Sequence, residues 1–205
     1  SVDSYIAADG DYGSSKGTRA AVMSNGPIYI GSNVTIAGDV RPGPGHAATG
    51  GTVTGSRQSL PHPIQWPPVT AGEYASGYDN GPISAYLSGN NLTSSTDGLI
   101  ILPAGTYVVH NLNLSGQTEL RAAGQVVLYV TGLVRMAGGS STVSSIPGDL
   151  EIRVVGNGPV TLTGTSDFHG HIYAPEARVD LAGTGAVYGM FVGKTMEMVG
   201  TSDAH

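Results

Sequence analysis

A five-residue pattern, apolar–polar–apolar–small–Gly, constrains this chain more than any other feature. It reads Val179-Asp180-Leu181-Ala182-Gly183 and Met196-Glu197-Met198-Val199-Gly200. Upstream stand Val160-Thr161-Leu162-Thr163-Gly164, Val134-Arg135-Met136-Ala137-Gly138 and Leu112-Asn113-Leu114-Ser115-Gly116. A further copy, Val34-Thr35-Ile36-Ala37-Gly38, lies near the N-terminus. Alternation with a period of two describes a short strand whose first and third residues face one way and whose middle residue faces the other. The inward pair is always Val, Leu, Ile or Met. The outward series is Thr35, Asn113, Arg135, Thr161, Asp180 and Glu197. Each strand closes on a glycine, where the chain must turn a corner.

A longer repeat contains these strands. Gly164-Thr165-Ser166-Asp167-Phe168-His169 returns as Gly200-Thr201-Ser202-Asp203-Ala204-His205, and Gly183 falls between them at spacings of 19 (183 − 164) and 17 (200 − 183) residues. A period of about 18 residues with short strands in each period is the signature of stacked coils. Asp167 and Asp203 are expected to cap the corner by accepting backbone N–H groups.

The sequence therefore predicts one all-β domain over 1–205, a parallel β-helix (β-solenoid) of about eight irregular coils. Residues 1–19 form a polar N-terminal segment, 20–55 the first coils and 98–205 the main coils. Asp3, Asp9 and Asp11 with Gly10 do not have the spacing of an EF-hand and read as turn residues. Residues 56–97 interrupt the pattern. Pro61, Pro63, Pro67 and Pro68 argue against central strands there. This Pro/Tyr-rich insertion, with Trp66, Tyr74 and Tyr78, is expected to lie on the flank or cap one end, with a helical turn over 82–87.

Composition narrows the function. A net charge of −6 leaves no basic patch for nucleic acid. The chain has no cysteine, so disulfides and thiolate metal sites are excluded. No apolar run is long enough for a membrane span. Nucleophile elbows, phosphate loops and dinucleotide fingerprints are absent.

Four segments carry a resemblance to known proteins: Leu102-Pro-Ala-Gly-Thr-Tyr107, Gly124-Gln-Val-Val-Leu-Tyr-Val130, His171-Ile-Tyr-Ala-Pro-Glu-Ala177 and Tyr188-Gly-Met-Phe-Val-Gly-Lys194. With Val2-Asp3-Ser4-Tyr5 at the start, their order resembles a family of bacterial cell-surface β-solenoid domains, often joined to pilin-like anchors and without known enzymatic activity. The architecture is also similar to that of bactofilins, which stack β-helices end to end. The resemblance implies a parallel β-solenoid on the cell exterior.

Several residues are candidates for chemistry. Asp180 and Glu197 occupy the same outward position in successive coils, which places their carboxylates about 5 Å apart, the separation of a retaining glycosidase pair. Arg178 and Lys194 stand ready to neutralise them. His169 and His171, two apart on a strand, are a weak metal pair without a third ligand. Trp66, Tyr74 and Tyr78 are candidate ligand contacts. Met196, Met198 and His205, in the last coil, are candidates for stacking against another copy. The expected function is non-catalytic and needs no cofactor: an extracellular or cell-surface structural or adhesive module, displayed on a pilus-like appendage or assembling end to end into a fibre. Its expected partners are a glycan, a host-matrix ligand or further copies. The competing reading is a polysaccharide-binding or polysaccharide-degrading β-helix acting through Asp180 and Glu197.

Overall fold

A computed structural model describes residues 2–5, 16–143, 146–165, 167–183, 185–200 and 204–205. The chain is a parallel β-solenoid, the fold that the repeat predicts, with about nine turns against the eight or so expected. It divides into two compact units, residues 1–66 with 203–205 and residues 67–202.

In the first unit, β1 (Ser4–Tyr5) pairs antiparallel with β2 (Lys16–Gly17). The coils follow as β3 (Ala20–Met23), β4 (Ile28–Ile36), β5 (Gly38–Arg41) and β6 (Ala48–Val53). β3 pairs parallel with β5, Ala20 opposite Gly38, and β4 pairs parallel with β6. Ala20, Ile30, Ile36 and Val40 form the core. In this unit one inward assignment fails: Val34 is exposed, because the β4–β6 register shifts between Ile30 and Thr35 and only Ile36 returns to the core. Residues 56–64 close this unit. The Arg57 guanidinium donates to the carbonyls of Ala48, Gly50 and Gly51 on β6. The Asn25 carboxamide acts as a surrogate peptide, donating from Nδ2 to the Ile64 carbonyl at 2.8 Å and accepting the Ile64 N–H at 2.7 Å.

The second unit holds β7 (Leu87–Ser88), β8 (Asn91–Ser94), β9 (Gly98–Val109), β10 (Leu112–Leu114), β11 (Thr118–Val130), β12 (Val134–Met136) and β13 (Ser141–Val143). They are followed by β14 (Leu150–Val154), β15 (Val160–Gly164), β16 (Phe168–His169), β17 (His171–Gly183), β18 (Val187–Tyr188) and β19 (Phe191–Gly200). The repeated pentapeptides make one face. Leu92, Leu112, Val134, Val160, Val179 and Met196 lie in register down parallel strands. A second face stacks Tyr107, Leu128, Ile152 and Ile172, and a third begins with Ile100, Leu120 and Thr142. These side chains are almost entirely buried, except that of Met196 on the last strand, expected to face inward but 47 % exposed because no further rung covers it among the described residues. Tyr107, an aromatic facing inward, keeps its hydroxyl satisfied by donating to the Pro103 carbonyl at 2.8 Å, and burial raises its pKa. Parallel strand pairing begins seven residues before the point that the pattern suggests, since Asn91–Ser94 already forms a rung beside β10 (98 − 91).

The 67–90 stretch closes that end. A 3-10 turn at Gly81–Tyr86, at the place expected for a helical turn, packs against β9 with Ile83 fully buried. Asn80 repeats the device of the first unit: its Nδ2 donates to the Val108 carbonyl at 2.7 Å and its Oδ1 accepts the Val108 N–H at 3.1 Å. The Asp79 N–H donates to the Thr106 carbonyl. β7 pairs antiparallel with β8 beside it.

Candidate functional site

On the pentapeptide face the outward residues form one row: Thr93, Asn113, Arg135, Thr161, Asp180 and Glu197. Five of these are the expected outward residues in the expected order, whereas Thr35 belongs to the first unit. Asp180 and Glu197 are direct neighbours across β17 and β19. Arg178 joins them, Nε to Asp180 at 2.6 Å and an Nη to Glu197 at 2.5 Å. The hydrogen bond that Arg178 donates to Asp180 is the first cause that raises the Arg178 pKa. Lys194 takes no part in an ion pair among the described residues. The arrangement is an exposed ion triad with a cation between two carboxylates.

The two histidines separate. His169 lies on β16 and His171 on β17, in different sheets with Gly170 between them. His169 stacks on Tyr188, ring centroids 4.4 Å apart and nearly parallel, and Thr142 accepts its backbone N–H. Burial holds its imidazole below the ordinary range. The single strand that the i, i+2 spacing suggests is interrupted at Gly170, where the chain bends from one sheet to the other. Among the described residues no group of three His, Cys, Asp or Glu could hold a metal ion. Asp167 does cap a corner: its carboxylate accepts the Ala186 N–H at 2.8 Å. Asp203, Asp9, Gly10 and Asp11 lie outside the described residues.

A second outward row, Tyr129, Arg153 and Tyr173, runs down β11, β14 and β17. The segment 67–74 straps across it. Tyr173 donates its hydroxyl to the Pro67 carbonyl at 2.6 Å, and Tyr74 packs on Tyr129 with ring centroids 5.4 Å apart. Arg153 binds both Glu73 and Glu151 at 2.9 Å and lies over the Tyr129 ring. The Thr70 N–H and Arg153 together hold the Glu73 carboxyl below its usual range. Tyr74 is thereby a strut of the strap, whereas Tyr78 and, in the first unit, Trp66 keep over two-fifths of their surface in solvent. Tyr173→Phe is expected to cost about 1 kcal/mol, the net worth of one hydrogen bond, and to speed proteolysis within 67–74. Urea denaturation and limited digestion check it.

Of the residues expected to contact another copy, Met196 is 47 % exposed and Met198 half-buried. His205 is not available. Its side chain is 2 % exposed and its Nδ1 meets the buried Asp3 carboxylate at 2.6 Å, beside the Val2–Ala204 bridge. No sequence signal joined Asp3 to a residue at the opposite end of the chain. The second unit also contains a cavity of about 30 Å³, lined by Met136, Ser140, Leu162 and Phe168, room for about one water.

Fold and surface define a parallel β-solenoid with outward polar rows and a β9 edge closed at Thr106 and Val108 by residues 79–80. Residues 86–205 match the family described as Domain of unknown function (DUF7305), 120 of 205 residues (205 − 86 + 1), and the chain belongs to that family. The match starts one residue before β7. Neither the curated proteins nor the solved structures contain a match to the chain.

Proposed function

We propose that this chain is a non-catalytic structural or adhesive module that works outside the cell, displayed singly on a surface appendage and offering its flanks to a glycan or matrix partner. The observation that carries this reading is the closure of β9. Its edge groups at Thr106 and Val108 are taken by Asp79 and by the Asn80 carboxamide, so that the C-terminal part of this edge does not offer a free ladder to another copy. A stack closed in this way favours display over end-to-end assembly. Continuous ladders of buried Leu, Ile and Val supply stiffness, and outward rows vary without disturbing the core. Arg178 is bonded to one oxygen of each carboxylate of the Asp180–Glu197 pair, and this engagement in an ion triad supports a non-catalytic role for the pair.

Light scattering over a wide concentration range, combined with binding and cleavage assays on a panel of polysaccharides and matrix proteins, tests the proposal. A monomer that is retained by a ligand without cleaving it is the expected outcome. Filaments growing with concentration overturn single display. Cleavage that disappears in a folded Asp180→Asn, Glu197→Gln double variant overturns the non-catalytic reading.

A further inference from the structure

The tripeptide Asn-Gly-Pro occurs three times, at 25–27, 80–82 and 157–159. An asparagine before glycine is chemically exposed to deamidation, because glycine lacks the side chain that would hinder its own nitrogen from reaching the asparagine carboxamide. Ring closure requires a carboxamide free to rotate and a glycine N–H free to give up its proton.

The fold withholds both at two of the sites. The Asn25 carboxamide is bonded twice to Ile64, and the Gly26 N–H donates to Ser24 Oγ at 3.0 Å. The Asn80 carboxamide is bonded twice to Val108, and the Gly81 N–H donates to Asp79 Oδ1 at 2.8 Å. Asn157 differs. It is exposed in the turn between β14 and β15, and among the described residues neither its carboxamide nor the Gly158 N–H has a hydrogen-bond partner.

We infer that Asn157 is a site of spontaneous covalent modification, with water as the only co-reactant. The Gly158 nitrogen attacks Cγ of Asn157, the new N–Cγ bond forms, and the Cγ–Nδ2 bond breaks. Ammonia leaves with the proton that Gly158 gave up. Water then opens the five-membered imide at either carbonyl, leaving aspartate or isoaspartate. Both products place a negative charge on this corner. Isoaspartate also lengthens the main chain by one atom immediately before Gly158. That position has no slack, since a Cβ on Gly158 would lie 1.8 Å from the Gly132 carbonyl oxygen. The next residue, Pro159, accepts the Val134 N–H at the head of the β12–β15 pairing. Modification is therefore expected to loosen the start of β15.

The test is peptide mapping of the whole folded chain aged at mildly alkaline pH, with fragmentation that separates aspartate from isoaspartate, beside a sample aged in urea. Breaking one hydrogen bond before ring closure slows it by about tenfold. Acid products at Asn157 should accumulate at least about tenfold faster than at Asn25 or Asn80 in the folded chain, and the three rates should converge in urea. Three similar rates in the folded chain, or no conversion at Asn157, overturn the inference. So does an Asn157 that stays fastest by the same factor after unfolding, since sequence context would then explain it.

Discussion

Gly183→Ala is expected to destabilise the second unit by about 3–5 kcal/mol, the sum of a strained backbone and an overpacked contact. Two independent features of the site set this size. Gly183 sits at φ 153°, which a residue with a Cβ rarely adopts. Its missing Cβ would also lie 2.1 Å from the Gly164 carbonyl oxygen of the coil beneath. Gly164 stands in the same relation to the carbonyl of Gly138, again at 2.1 Å. Backbone thus packs directly on backbone at this corner in successive coils, and the atom in the way belongs to the main chain and cannot swing aside. Gly156→Ala is the control. Gly156 has φ 69° but nothing within 4 Å of the Cβ position, so that only the backbone term applies, about 1–2 kcal/mol. Urea denaturation of both variants separates the terms. If Gly183→Ala loses no more than Gly156→Ala, crowding at the corner is not the reason for the repeated glycine.

That glycine shows what the sequence carried. The pentapeptides announced their strands because alternation and a closing glycine are local signals. Stacking each copy on the next also aligns Asp180 with Glu197 from the repeat alone, since a solenoid turns sequence period into lateral contact. The same logic failed where the local signal was thin. Asn91–Ser94 forms a full rung, yet only Leu92 in it is apolar, so the rung is indistinguishable from the polar stretch around it. Val34 has the right pattern, but the register shift in β4 leaves it outside. His169 and His171 have strand spacing, but Gly170 turns the chain between them. The strap was beyond reach for another reason. Tyr173 and Pro67 are 106 residues apart, and no periodicity links a proline-rich segment to the tyrosine on which it rests. The Asn80–Val108 and Asn25–Ile64 clamps are likewise side-chain substitutes for strand pairing. A reading based on hydrophobic alternation sees only a polar residue in a turn.

Asn80→Ala should therefore have an effect out of proportion to an asparagine in a loop. The substitution leaves the Val108 N–H and C=O without partners on a partly buried strand edge, at about 1–3 kcal/mol for each group that water does not reach. We expect a loss of about 2–4 kcal/mol, since partial hydration offsets some of the sum. The second consequence separates a cap from simple glue. Removing the carboxamide leaves the outer side of β9 unpaired at Val108, which templates pairing with another chain. The variant should associate as concentration rises, under conditions where most of it remains folded, while the parent chain stays monomeric. Asn80→Asp sharpens the test. It keeps the acceptor for the Val108 N–H but sets a carboxylate oxygen against the Val108 carbonyl, so stability should again fall. Its charge, however, should oppose association at the edge. Circular dichroism for stability and light scattering for mass, read on the same samples, decide the matter. Equal stability in parent and Asn80→Ala removes the clamp from the account of the fold. A loss of stability in Asn80→Ala with no association leaves Asn80 as a brace for the 3-10 turn and removes the closed edge as the reason for single display.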